Sequence, residues 1–198
     1  MTSFCRILQM NALYPLLALS LLMTGCHPAP VSTAVINKEL LTHASTEGIT
    51  LYKGEPFSGT AVEEYADGTP AVAIDYVKGK REGYYRKWFA DGSLSFESQY
   101  LAGRQHGETR SWWKNGNLRT HNRMEKGIAN GLQEQWYKSG AKFKAMQLVN
   151  GQEEGLQQSW RENGKLYNNY EARDGRIFGL KRANLCFSLE NEDLVYVE

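Results

Sequence analysis

The chain has 198 residues, and its 23 Lys and Arg against 22 Asp and Glu give a formal net charge of +1. A balance this close to zero supplies no basic excess for nucleic acid and no polybasic patch for anionic lipid. Its three cysteines and four histidines show no spacing of zinc ligands. We therefore expect no cofactor, no metal and no nucleic-acid partner.

The first 25 residues are predicted to be a secretory signal peptide. Arg6 is their only charge, and residues 13–23 form an apolar run, shorter than the ~20 residues that a membrane-spanning helix needs. A small residue followed by Cys26 resembles the bacterial lipobox, which implies that Cys26 is lipidated and becomes the new N-terminus. The residue after Cys26 is His27 rather than Asp. In the resemblance to Gram-negative lipoproteins, this implies that the protein is anchored in the outer membrane and faces the periplasm. The alternative is an ordinary signal peptide.

Three further segments follow from composition. Residues 26–48, with prolines among small polar residues, are predicted to be a flexible linker. Residues 49–180 form the predicted repeat domain, and residues 181–198 a C-terminal cap or tail. Cys186 is the one thiol left after Cys26 is acylated, which predicts a buried thiol or an intermolecular partner.

Glycines recur with a fixed period inside the repeat domain. Sixteen of the 19 glycines fall into three series whose neighbours are 24 residues apart. The series are Gly59, Gly83, Gly107, Gly131, Gly155 and Gly179; Gly68, Gly92, Gly116, Gly140 and Gly164; and Gly79, Gly103, Gly127, Gly151 and Gly175. Such a period indicates one supersecondary unit, copied and stacked. It favours a scaffold or binding surface over an enzyme.

Each copy is predicted to be a β-hairpin. The glycines of the second series end Asp-Gly, Asn-Gly or Ser-Gly pairs. Asn-Gly and Asp-Gly are preferred in two-residue type I′ turns because both central residues need positive φ. Strands of about six and about eight residues, at ~3.3 Å per residue, fill the rest of the period. The predicted fold is all-β, an elongated antiparallel meander of about five hairpin repeats.

Aromatic residues occupy two neighbouring positions in most copies. The first position holds Trp88, Trp112, Trp136 and Trp160, with Glu64 in the first copy. We expect these tryptophans to form a structural ladder that is the core of the sheet. The second position holds Tyr65, Phe89, Trp113 and Tyr137. Strand alternation predicts that these four point to the opposite face, where they are the candidate binding face.

The unit resembles a known repeat. The unit is similar to the MORN-type repeat. The shared features are a glycine, an aromatic pair, a Gly-containing turn, an alternating strand and a second glycine turn. The unit is still more similar to the bacterial variant of this repeat, the YwqK family of toxin–antitoxin antitoxins. The resemblance covers residues 50–180. The Tyr-Glu-Gly-Glu-Trp core of eukaryotic MORN repeats is absent, and the period is 24 residues rather than 23.

These features predict a noncatalytic protein-interaction module on a lipid anchor. The chain has no nucleophile elbow, no phosphate loop and no Glu-x-x-His pattern. Its expected partners are the membrane, through the lipid, and a protein of unknown identity. Two alternatives stay open. One is an antitoxin or immunity protein that neutralises a toxin, and the other is a cell-wall glycan-binding protein or enzyme that uses the aromatic rows.

Overall fold

The computed structural model describes residues 34–44 and 48–181 and the strands at 187–190 and 193–196. The predicted signal peptide, Cys26 and Cys186 lie outside the described residues. Within the described part of the chain, no helix is long and apolar enough to cross a bilayer.

Strands account for nearly all of the regular structure. Their bounds are β1 Val35–Asn37, β2 Leu41–Ala44, β3 Ile49–Tyr52, β4 Glu55–Pro56, β5 Gly59–Glu64, β6 Pro70–Val77, β7 Lys80–Trp88, β8 Leu94–Leu101, β9 Arg104–Trp112, β10 Leu118–Glu125, β11 Ile128–Trp136, β12 Lys142–Val149, β13 Gln152–Trp160, β14 Leu166–Arg173, β15 Arg176–Leu180, β16 Phe187–Glu190 and β17 Asp193–Tyr196. A 3-10 turn, Lys38–Leu40, separates β1 from β2.

The strands from β5 to β15 form one sheet in sequence order, with β1 added at its first edge. This 12-stranded sheet is antiparallel throughout except for β1, which confirms the predicted all-β meander. Strands β2 to β4 form a three-stranded sheet, and β16 and β17 form a two-stranded one.

Strand structure begins earlier than the predicted repeat domain. β1 pairs in parallel with β5, with Val35 opposite Thr60, and the Thr60 N–H donates to the Ala34 carbonyl at 2.9 Å. The prediction of a flexible linker as far as residue 48 is therefore wrong for residues 35–44. The physical reason is that two β-branched residues, Val35 and Ile36, can cover an edge of the sheet that would otherwise be unpaired.

The turns of the second glycine series are not of the predicted type. At Asp91-Gly92, only the glycine has positive φ, at 79°. The Gly92 N–H donates to the Phe89 carbonyl at 2.9 Å, and the Phe89 N–H donates to the Ser93 carbonyl at 2.8 Å. This is a three-residue loop, a type I turn followed by a left-handed glycine. The same two bonds recur at Gly68, Gly116, Gly140 and Gly164.

The side chain of Asp91 explains the difference. Its Oδ1 accepts the Ser93 N–H at 3.0 Å, and this bond two residues along the chain is an Asx turn. Hydrogen bonds from Ser93, first from its hydroxyl and then from its backbone, lower the pKa of Asp91. The predicted type I′ turn is therefore wrong at this connection.

The two-residue turns lie at the third glycine series instead. Ala102 and Gly103 have φ values of 50° and 83°, and Leu101 pairs directly with Arg104, as a type I′ turn requires. The Gly103 N–H donates to the carbonyl of Arg81 in the preceding copy at 2.9 Å. Equivalent bonds join Gly79 to Phe57, Gly127 to Gln105 and Gly151 to Ala129. Each of these four turns is thus hydrogen-bonded to the copy before it, so the four turns stack along one edge.

An apolar core lies at the N-terminal end of the sheet. Phe57, Ala61, Ile74 and Tyr76 are each at most 5% exposed and pack together. The rings of Phe57 and Tyr76 have centroids 5.8 Å apart. This cluster joins β5 and β6 to the segment after β4.

Candidate binding faces of the sheet

One row of directly paired residues crosses the sheet and contains most of its buried side chains. We call it the inner row, and the face that carries it the inner face. It consists of Ala61, Ile74, Tyr85, Ser98, Thr109, Asn122, Gln133, Met146, Gln157 and Tyr170. The row starts apolar and becomes rich in hydroxyls and amides toward the C-terminal end.

Hydrogen bonds pair several of the buried polar groups of the inner row. Ser98 and Thr109 are 0% and 8% exposed, and their hydroxyl oxygens are 2.7 Å apart. The amide nitrogen of Gln133 donates to the Arg123 carbonyl at 3.0 Å. Buried polar groups need such partners, because an unsatisfied one costs about 1–3 kcal/mol. The middle of the sheet is therefore held together by polar contacts.

The tryptophan ladder is not this enclosed row. Trp88, Trp112, Trp136 and Trp160 are each half-buried. Lys142 Nζ lies 2.7 Å from Glu134 Oε1 and 5.7 Å from the centroid of the Trp160 ring. Contact with this ion pair, together with strand alternation, puts Trp160 on the face opposite the inner row, which we call the outer face. The prediction that the tryptophans are the core is wrong, because the buried residues of three copies, Thr109, Gln133 and Gln157, lie three positions earlier.

Aromatic side chains at the second position form hydrogen bonds from one copy to the next. Tyr65 Oη donates to the Trp88 carbonyl at 2.8 Å, and Tyr137 Oη donates to the Trp160 carbonyl at 3.0 Å. Trp113 Nε1 makes the equivalent bond to the Trp136 carbonyl at 3.1 Å. The fourth member, Phe89, has no donor atom. Three of these four side chains therefore make a hydrogen bond between copies. The role of the four as a binding face stays a prediction.

This hydrogen bond predicts opposite changes in stability for two substitutions at the second aromatic position. Tyr137→Phe should lower the free energy of unfolding by about 0.5–1.5 kcal/mol, because the Trp160 carbonyl loses a partly buried donor. Burial raises the pKa of Tyr137, so its hydroxyl keeps the proton that it donates. Phe89→Tyr should raise stability by a similar amount by supplying the missing donor. Urea unfolding of both variants checks this, and equal effects of the same sign would contradict it.

The outer face carries a second row, which is charged. Arg86, Glu97, Arg110, His121 and Glu134 are direct neighbours on successive strands. Arg86 Nε is 2.7 Å from Glu97 Oε2, and His121 Nδ1 is 4.0 Å from Glu134 Oε2. Opposite charges placed across strands stabilise a sheet modestly. Among the described residues, no group of three or more His, Cys, Asp or Glu is arranged to hold a metal ion.

The last strand of the sheet, β15, has an open edge. It pairs with β14 on one side, and no described strand pairs with its other side. All five of its residues are exposed. They include three large apolar side chains, Ile177 at 46%, Phe178 at 54% and Leu180 at 51% exposure. At the other end of the sheet, the three-residue strand β1 is the edge strand.

A sheet of tandem hairpins that bond to one another at regular spacing defines a β-repeat protein. A family model described as a MORN repeat variant matches residues 105–121. That stretch spans most of β9, the turn at Gly116 and the start of β10. The chain therefore contains a MORN-type repeat, and equivalent hairpins lie on both sides of the match. No curated protein matches the chain.

Proposed function

We propose that this protein is a noncatalytic envelope lipoprotein that presents its repeat sheet to a protein partner. The supporting observation is the open edge of β15 with its three exposed apolar side chains. A strand at a sheet edge offers unpaired N–H and C=O groups to another chain. An extended peptide that pairs there gains backbone hydrogen bonds, while its alternate side chains meet exposed apolar groups.

The opposite edge of the same sheet illustrates how such a partner would bind. There β1 adds to β5 over three residue pairs, Val35 to Thr60, Ile36 to Ala61 and Asn37 to Val62, and the Ile36 side chain packs against the apolar cluster. The proposed partner contributes an extended segment of alternating apolar residues that pairs with residues 176–180. Lipidation of Cys26 would hold the module at the outer membrane, facing the periplasm.

A charge placed on the open edge tests this proposal. We expect the double variant Ile177→Lys with Phe178→Lys to lose at least about tenfold in capture of the partner in a crosslinking experiment on the native envelope, because burying two unpaired charges is costly. Leu132→Lys is the matched control, since Leu132 is 47% exposed on a strand inside the sheet. Equal capture by both variants would show that β15 is not the docking strand.

The resemblance to the YwqK family makes a toxin one kind of partner to test for. Immunity proteins are encoded beside their toxins, so the neighbouring genes discriminate between the two roles. If the captured partner is a secreted toxin that the chain inactivates, the module is an immunity protein. Capture of a resident envelope protein instead supports the scaffold role.

A further inference from the structure

The tryptophan ladder crosses the outer face at a regular spacing. Trp88, Trp112, Trp136 and Trp160 end β7, β9, β11 and β13, and each lies three positions after a residue of the inner row. Because the residues of the inner row are direct neighbours across the sheet, the four tryptophans lie at one level. Each side chain remains partly exposed, so no described segment seals the ladder.

The spacing of the ladder matches one kind of peptide conformation. Successive tryptophans are two strands apart, which separates their backbones by about 9.4–9.8 Å. A polyproline II helix has three residues per turn and rises about 3.1 Å per residue, so one turn covers about 9.3 Å. A β-strand returns to the same face after two residues, or about 6.6–6.8 Å. A polyproline II ligand can therefore place one residue over each tryptophan, and an extended strand cannot.

The indole N–H groups of the ladder are available as donors. Among the described residues, Nε1 of these four tryptophans makes no hydrogen bond, and none of these atoms is buried without a partner. They are therefore accessible to solvent. Trp113 differs, because its Nε1 donates to the Trp136 carbonyl at 3.1 Å. A polyproline II helix makes no internal hydrogen bonds, so one of its carbonyls per turn can accept from each indole of the ladder.

The charges beside the ladder favour a neutral ligand. Arg86 Nε is 2.7 Å from Glu97 Oε2, and Lys142 Nζ is 2.7 Å from Glu134 Oε1. Each of these charges already has a partner of opposite sign on the outer face. Apolar rings and uncharged carbonyls complement such a surface better than an ion, which would have to compete with these pairs.

We propose that the tryptophan ladder binds a proline-rich segment of another protein in the polyproline II conformation. The ligand lies across the strands, with every third residue against an indole ring and its carbonyls accepting from the indole N–H groups. Aromatic surfaces bind such segments well because the ligand is preformed and loses little conformational entropy. Four rings need three turns, or about ten residues. The ladder is separate from the edge of β15, so the proposal stands independently of docking there.

A length series tests the spacing. The full chain is titrated by calorimetry with proline oligomers of four, seven, ten and thirteen residues, which differ by one turn of three residues. We expect the affinity to rise at least about threefold with each step up to ten residues, when all four tryptophans are engaged. The step to thirteen residues should add less than about twofold. A flexible Gly-Ser peptide of ten residues is the control and should bind at least about tenfold more weakly.

Two neighbouring tryptophans separate binding from folding. Trp112→Phe keeps an aromatic ring and removes the available N–H, so it should weaken binding of the ten-residue oligomer about threefold to tenfold. Trp113→Phe is the matched control, because its N–H bonds within the fold. It should lower the free energy of unfolding and leave the affinity unchanged. The length series needs no variant, so it tests the site even where a substitution affects folding.

Three results would overturn the proposal. They are an affinity that does not depend on oligomer length, unchanged binding in Trp112→Phe, and tighter binding of cellohexaose than of the ten-residue oligomer. Alternate sugars of cellohexaose face the same way, so the third result would assign the ladder to a glycan. The double variant Ile177→Lys with Phe178→Lys should bind the oligomer normally, so this proposal and the one at β15 can fail separately.

Discussion

Replacing Gly79 by alanine is expected to lower the free energy of unfolding by about 2–5 kcal/mol. Gly79 is buried and has a φ of 77°. A side chain there is disfavoured by the left-handed conformation. The added Cβ would also lie 2.8 Å from the Thr50 carbonyl oxygen and 2.9 Å from Ile49 Cβ. Neither atom is the flexible end of a side chain, so the backbone itself has to move.

Gly68→Ala separates the two causes. Gly68 has a similar φ of 85°, and its added Cβ would meet no atom within 4 Å. We expect Gly68→Ala to lower the free energy of unfolding only by the cost of the left-handed conformation, roughly 1–2 kcal/mol. Urea unfolding measured on both variants gives the difference. Equal losses would mean that the packing of the turn against β3 contributes nothing, which would contradict the stacking of the copies described above.

The glycine period predicted the architecture correctly because it reports a backbone requirement. Positive φ recurs four times in a full unit, for example at Gly92, Ala102, Gly103 and Gly107, and glycine adopts it at least cost. The period therefore predicted the order of the hairpins, but not β1, which adds a strand at the first edge. Apolar residues alternate on the return strand of the first copy, and the structure buries two of them, Ile74 and Tyr76, at 4% and 3% exposure.

The type of each turn could not be predicted from dipeptides alone. Asp91-Gly92 has the composition of a type I′ turn, yet the aspartate oxygen captures the Ser93 N–H and favours a three-residue loop. Ala102-Gly103 lacks the favoured asparagine or aspartate and still forms the type I′ turn. Similar positive φ values occur at Lys53-Gly54 and Asp174-Gly175, where the flanking residues also pair directly across a two-residue loop. Loop length, rather than the dipeptide, therefore selects the turn type.

The core was mispredicted for a related reason. Apolar size suggested the tryptophans, but the fully buried positions hold residues such as Ser98 and Gln157, at 0% and 1% exposure. A sequence pattern ranks such polar residues as exposed. Only the register shows that Ser98 faces Thr109 and that Gln157 can reach the Gln147 carbonyl.

Ile74→Ala is also expected to lower the free energy of unfolding strongly, by about 2–5 kcal/mol. Ile74 is 4% exposed and packs in the apolar cluster with Phe57, Ala61 and Tyr76. Removing its side chain leaves a cavity within this apolar cluster. Leu132→Ala is the control, because Leu132 is 47% exposed and should cost less than about 0.5 kcal/mol.

The location of this loss tests how the sheet holds together. In a repeat protein each copy contacts mainly its neighbours, so destabilisation should stay close to the altered copy. Hydrogen exchange of Ile74→Ala should therefore show the greatest loss of protection in β5, β6 and β7, and much less in β12 to β14. A uniform loss over the whole sheet would mean that the copies unfold as one cooperative unit. In that case the polar contacts of the inner row couple the copies more strongly than a nearest-neighbour array allows.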